Sequence, residues 1–336
     1  MSADLGAIGI AVGHATDQDG ATGLTVIRGI ESPLRAGAAI FGRATGTREL
    51  YALTSEHLVD RIDAVLLTGG SAYGLDAAAG VMRWMEERAR GFAVPGGVVP
   101  IVPAAVIFDL APLGRFDARP TVQMAYEACE RAVAAPVAEG SVGVGTGATV
   151  GKIAGPAHAM KGGFGCAMET GARWRVAAFA VVNALGDVRD ESGRIIAGAR
   201  TDTADASRPF GGRQTPIAFV DTARILARGE RQAMNRTAVP PTNTTLGVVA
   251  TDAPLERTVL RQLARAAGSA LFKRVTPTGT SVDGDIVFAL APAAAAPAST
   301  EAPMELEALA VFALESALER AVRTARGRDG IPGLAD

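Results

Sequence analysis

Apolar and polar positions alternate from the start of the chain. LGAIGIAVGHATD (5–17) and GLTVIRG (23–29) predict short β segments bounded by glycines and polar turns, and AGAAIFGRATGTREL (36–50) continues that pattern. Residues 64–68 predict a strand, Gly69–Gly70–Ser71 a turn, and Leu75 to Arg90 a helix that stops at Gly91. VPIVPAAVIFDL (99–110) is an apolar strand punctuated by prolines, and a second helix is expected over Thr121 to Ala134. After a glycine-dense region (140–165), RWRVAAFAVVN (173–183) predicts a long apolar strand ending at an asparagine. Residues 189–243 carry little periodicity beyond TPIAFV (215–220) and are expected to be a mobile excursion. Periodicity resumes abruptly at Thr244 with the strand TTLGVVATD. A helix (255–268), the strand DGDIVFAL (283–290), an Ala/Pro-rich link and a last helix with Leu306, Leu309, Ala313 and Ala317 on one face follow. The last ten residues, 327–336, are expected to be a disordered tail. No internal repeat is visible, and a single catalytic domain over 1–336 is expected.

Charge and cysteine content narrow the function. Thirty-three basic and thirty-five acidic residues give a formal charge of −2, so no global attraction to nucleic acid or an anionic membrane is expected. No apolar run reaches the roughly 18 residues of a membrane span, and the N-terminus lacks the basic stretch of a signal peptide. Cys129 and Cys166 cannot build a disulfide framework and fit a reduced, cytoplasmic setting. The three histidines, His14, His57 and His158, lack metal-ligand spacing, so no metal site is expected. Gly143-Val-Gly-Thr-Gly-Ala148 loosely matches a dinucleotide fingerprint, but the chain beyond it stays extended and broken by glycine. Ile153 also stands where a P-loop needs Ser or Thr. Packing or a glycine-lined substrate site (Gly145, Gly147, Gly162, Gly163) is the better expectation.

Candidate chemistry concentrates where the excursion ends. Asn243 is followed at once by the strand that starts with Thr244, the place where a self-cleaving hydrolase needs its scissile bond. If the Thr244 hydroxyl attacks the Asn243 carbonyl, an N-to-O acyl shift and hydrolysis free an α-amine whose ordinary pKa, near 8, suits it to accept the hydroxyl proton. Asn-Thr before a strand is common, however, and alone it is weak. Asp283 and Asp285 stand two apart at a strand mouth, so extended geometry points them the same way about 6.5–7 Å apart. They are suited to orienting Thr244 or to proton work, unless they form a solvated Asp-Gly turn. Lys161 is one of only three lysines and lies among glycines, and Asn183 ends an apolar strand. Either could donate to an oxyanion, or serve as a turn or cap residue.

In this order, GGSAYGLDAA (69–78), VPIVPAAVIFDL, GSVGVGTGATVGK (140–152), MKGGFG (160–165), VVNALGDV (181–188), NTTLGVVATD (243–252) and DGDIVF (283–288) resemble the DmpA-like self-processing hydrolases of peptidase family S58. The threonine and the aspartate pair look closest to the nylon-oligomer (6-aminohexanoate-oligomer) endohydrolase branch. The resemblance implies an α/β fold, an αββα four-layer sandwich similar to N-terminal nucleophile hydrolases. It implies cleavage at Asn243–Thr244 into chains 1–243 and 244–336, with Thr244 as nucleophile and Asp283 and Asp285 as its hydrogen-bonded partners. Lys161 and Asn183 match pocket motifs. No cofactor is implied; the expected partners are a short peptide or amide substrate and further copies of the chain, as a tetramer of processed heterodimers. An acyltransferase similar to ornithine acetyltransferases, or a homologue that binds small molecules without catalysis, are the alternatives.

Overall fold

Two five-stranded sheets carry most of the predicted alternation. The computed structural model describes residues 4–201, 218–229, 242–293 and 304–336. In chain order the strands of the two sheets are β1 (Ile10–Asp17), β2 (Thr22–Gly29), β3 (Leu34–Ile40), β4 (Thr47–Arg48), β5 (Ala64–Thr68), β6 (Ala104–Val106), β7 (Gly163–Thr170), β8 (Arg175–Asn183), β9 (Thr244–Thr251) and β10 (Ile286–Pro292). The helices that cover them are α1 (Ala78–Glu86), α2 (Val122–Glu130), α3 (Arg257–Ala267) and α4 (Met304–Arg323). One sheet has the order β1-β2-β5-β6-β4 and the other β7-β8-β9-β10-β3. Each contains one parallel pair, β5 with β6 and β9 with β10, among antiparallel neighbours.

Three apolar layers follow from the alternation of side chains along each strand. Leu24, Val26 and Leu66 face Val81, Met85 and Ala125 of α1 and α2. Ile27, Val65 and Leu67 turn the other way and meet Phe179, Val248 and Phe288 of the second sheet. Ala178, Val249 and Val287 then face Leu260, Leu263, Leu314 and Leu318 of α3 and α4. The result is helix, sheet, sheet, helix. Phe179 and Phe288 are fully buried between the sheets, each contributing about 2 kcal/mol by apolar transfer.

The central strand β9 is enclosed on every side. All eight of its residues are buried, and it lies between β8 and β10. Thr244 is therefore held at the end of an element that the whole core fixes in place.

Several boundaries differ from expectation. The first helix starts at Ala78 after a 3-10 segment, Ser71–Ala77, because Gly70 (φ 78°) and Ser71 (φ 53°) hold a left-handed turn. It ends at Glu86, and Ala89 reverses the chain at φ 53°. Thr121 caps α2 by accepting from the Met124 amide, so that helix begins one residue later than its cap. In the excursion, residues 202–217 and 230–241 lie outside the described residues. The described remainder forms regular elements: Ile195–Ala197 pairs with Asp187–Arg189, and a short helix spans Thr222–Ala227. Buried Asp187 organises this part by accepting from the Ala199 amide and from the Thr222 amide and hydroxyl. The expected disordered tail is also folded. Arg328 and Ile331 exchange backbone hydrogen bonds, the Asp336 carboxylate accepts from the Gly327 and Gly333 amides, and Ile331 is buried. Among the described residues no helix is long and apolar enough to cross a membrane.

Candidate active site

β8 and β9 run antiparallel in a register that sets Asn183 directly opposite Thr244. β10 runs parallel to β9, and the turn before it brings Asp283 beside Asn243 as an isolated parallel bridge. Asn243, Thr244, Asn183, Asp283 and Asp285 are all buried. Five of the residues singled out from the sequence thus meet at one end of the second sheet.

The Asn243 carbonyl is the focus of this cluster. The Thr244 hydroxyl donates to it at 2.7 Å and the Gly284 amide at 2.8 Å. The threonine oxygen is therefore within contact distance of the carbonyl group that it would attack, and a backbone N–H already polarises that group. Gly284 is required here: a Cβ at this position would lie 2.7 Å from Thr244 Oγ1.

The carboxylates contribute differently from the expectation that both hydrogen-bond Thr244. In the continuous chain neither holds the threonine hydroxyl. Asp285 Oδ1 accepts from the Thr245 amide at 2.6 Å, while Oδ2 accepts from Thr278 and the Gly279 amide. Asp283 Oδ2 accepts from the amide and hydroxyl of Thr280. Burial, reinforced by Asp283, raises the Asp285 carboxyl to about 6 against the opposing hydrogen bonds.

Asn183 and a lysine that the sequence reading did not select form the other wall. Asn183 Nδ2 donates to the carbonyls of Phe108 (3.0 Å) and Thr242 (3.2 Å), and its Oδ1 accepts from the Thr149 amide and from Lys152 Nζ. Lys152 Nζ also donates to the Thr242 carbonyl at 3.1 Å and the Asn183 carbonyl at 3.1 Å. Burial pushes this ammonium down to about 7, partly offset by Asp283 and Asp109. The scarcity of lysine was a usable signal, but it pointed equally to Lys161.

Lys161 is placed elsewhere. Its ammonium is buried and donates to the carbonyls of Gly145, Ala148 and Gly162 at 2.7–3.2 Å, which uses all three of its protons. Its own amide donates to Pro332 of the folded tail. It fastens the glycine loop and has no proton left for an oxyanion. Gly145, Gly147, Gly162 and Gly163, expected to line a substrate site, are packing glycines instead. A Cβ on any of them would come within 2.4 Å of backbone atoms, of Phe164, Ala21, Val182 and Ala321 respectively.

Residues 6–333 match the profile of Peptidase family S58. An uncharacterized aminopeptidase of Mycobacterium tuberculosis is 41% identical over 331 residues, spanning 94% of this chain and 90% of the relative. A 6-aminohexanoate-oligomer endohydrolase of an Agromyces species is 30% identical over 294 residues, spanning 84% of this chain and 72% of the relative. In fold, the chain is similar to the L-aminopeptidase D-Ala-esterase/amidase of Ochrobactrum anthropi, a variant of the Ntn-hydrolase fold, with a TM-score of 0.67 and 21% identity over 98% of this chain and 90% of that one. A Burkholderia β-aminopeptidase matches with a TM-score of 0.63 and 22% identity over 99% and 92% of the two chains.

Proposed function

The chain belongs to peptidase family S58 and is a hydrolase of amide or peptide bonds, and on that premise we propose that it matures by cutting its own Asn243–Thr244 bond and then works as an N-terminal-threonine amide hydrolase. The observation that carries this reading is the pair of donors on the Asn243 carbonyl, one of them the Thr244 hydroxyl at 2.7 Å.

In the first stage the Thr244 oxygen adds to the Asn243 carbonyl carbon, and the Gly284 amide stabilises the oxyanion that forms. The C–N bond then breaks, the hydroxyl proton ends on the departing Thr244 nitrogen, and the acyl group rests on the threonine oxygen as an ester. Water hydrolyses that ester to give chains 1–243 and 244–336. The freed α-amine, with an ordinary pKa near 8, then accepts the hydroxyl proton when Thr244 attacks a substrate amide.

Thr242 has a distinct place in this scheme. Its carbonyl occupies Lys152 Nζ and Asn183 Nδ2, so withdrawal of the cleaved end releases two donors beside the nucleophile. Those donors would then stabilise the substrate oxyanion, a contribution of about 3 kcal/mol per well-placed donor. Short peptides or 6-aminohexanoate-type oligomers are the substrates this reading favours, on the likeness to relatives named for those activities.

Thr244→Ala tests the assignment. It is expected to keep the chain whole and abolish amide hydrolysis, whereas Thr244→Ser should restore both. Cleavage and turnover by the alanine variant would remove the assigned nucleophile.

A further inference from the structure

We infer that the open edge of β3, set in a cleft between α3 and the 3-10 segment Leu50–Leu53, docks an extended acidic peptide as an added strand. This interaction surface goes beyond the proposed hydrolysis and does not depend on it.

β3 ends the second sheet and has β10 on one side. Main-chain groups point to alternate sides along an antiparallel strand. Leu34 exchanges backbone hydrogen bonds with Ile62, away from β10, whereas the Phe41 amide donates to the Asp285 carbonyl on the β10 side. Ala38 and Ile40 share the parity of Leu34, so their N–H and C=O groups point out of the sheet, and among the described residues these groups have no partner. An open row of this kind is a template for a further strand.

The edge is recessed between two walls. A cleft of about 770 Å³ lies over it, a size within the range of about 300–1,000 Å³ that ligand sites occupy. Leu50 and Leu53 line one side and the α3 residues Arg261 and Arg265 the other. α3 sits close to the strand, since a Cβ on Gly37 would come within 2.3 Å of the Arg261 nitrogen. Arg257 donates to the carbonyls of Thr54, His57 and Val59, which ties the chain beyond Leu53 to α3 and fixes the two walls relative to each other.

Charge and spacing select the occupant. Arg261 and Arg265 are exposed, and among the described residues neither has a carboxylate within ion-pair distance. Glu56 feels Arg261 from beyond that range. The two arginines stand about one helical turn, ~5.4 Å, apart. In an added strand, alternate side chains fall on one face at about 6.5–7 Å. A segment that alternates acidic and apolar residues therefore brings successive carboxylates to the two guanidinium groups and its apolar side chains to Leu50 and Leu53.

The test measures binding of the blocked pentapeptide Ac-Leu-Glu-Leu-Glu-Leu-NH2 to the purified chain by calorimetry. It is expected to bind about tenfold more tightly than Ac-Leu-Lys-Leu-Lys-Leu-NH2, and the double variant Arg261→Gln with Arg265→Gln should erase that preference. Ala38→Pro, which removes an outward N–H and no ladder bond, should weaken the acidic peptide about tenfold. Backbone N-methylation of the peptide should do the same with wild-type protein, and it decides if Ala38→Pro does not fold. Equal affinities for the two peptides, a preference that survives loss of both arginines, or binding indifferent to N-methylation would overturn the proposal. A peptide-free dimer in sedimentation that Ala38→Pro dissolves would assign the edge to a second copy of the chain and overturn it as well. Because binding is read, absence of self-cleavage or turnover in a separate assay counts against the hydrolase reading alone.

Discussion

Asn183 and Thr244 face each other across adjacent antiparallel strands, and the asparagine amide reaches past the threonine to the carbonyl of Thr242. One side chain thereby holds the segment leading to the proposed scissile bond and stands beside the proposed nucleophile. The register of β8 against β9 sets this arrangement, and the core on both faces of β9 prevents a slip, because a shift by one residue would turn every apolar side chain the wrong way.

Gly284→Ala places a methyl group 2.7 Å from Thr244 Oγ1. A displacement of the hydroxyl by about 1 Å is expected to slow self-cleavage about 100-fold. Following the intact chain over time by gel electrophoresis measures this, and wild-type kinetics in the variant would show that the hydroxyl need not stay where it is.

The two buried lysines should separate by phenotype. Lys152→Met removes donors to Thr242 and Asn183 and is expected to reduce cleavage and turnover about 100-fold with a small change in melting temperature. Lys161→Met leaves three loop carbonyls without their ammonium and is expected to cost about 3 kcal/mol of stability. Denaturant melts and cleavage rates on both variants check this, and interchanged phenotypes would reverse the assignment.

Stability should rise with pH above neutrality. Burial lowers both Lys152 and Lys161 to about 7 from 10.5. Between those values the folded chain binds fewer protons than the unfolded one, which makes unfolding less favourable as pH increases. Asp109, Asp187 and Asp285, raised to about 6 from 3.8, act in the opposite sense, costing stability as pH climbs from 3.8 to 6. Melting temperature is expected to increase from pH 7 to 9 in wild type and to increase less in Lys161→Met. A flat profile would show that folding does not lower the pKa of these amines.

The two central strands were legible because the unbroken apolar runs at 176–182 and 246–250 fit strands buried on both faces, whereas their four-layer arrangement was expected only from the family resemblance. The meeting of Thr244, Asp283 and Asp285 was legible too, since each stands at the mouth of such a strand. Which lysine enters the site was not. Lys152 and Lys161 both lie among glycines, and their directions depend on the left-handed Gly151 (φ 69°) and on the pairing of Lys161 with Thr149, neither of which leaves a local pattern. The glycines at 145, 147, 162 and 163 carried the same ambiguity, because close backbone packing and a substrate cradle require the same missing side chain. The tail was misjudged for a related reason. IPGLAD has no periodicity, and its order comes from distant partners, Lys161 through Pro332 and the Asp336 carboxylate at the Gly327 turn.

Denaturing mass spectrometry of the purified wild-type chain tests the central claim most directly. The account predicts two species, residues 1–243 and residues 244–336, the second beginning with a free threonine amine. A single 34.3 kDa species that persists after long incubation would contradict it.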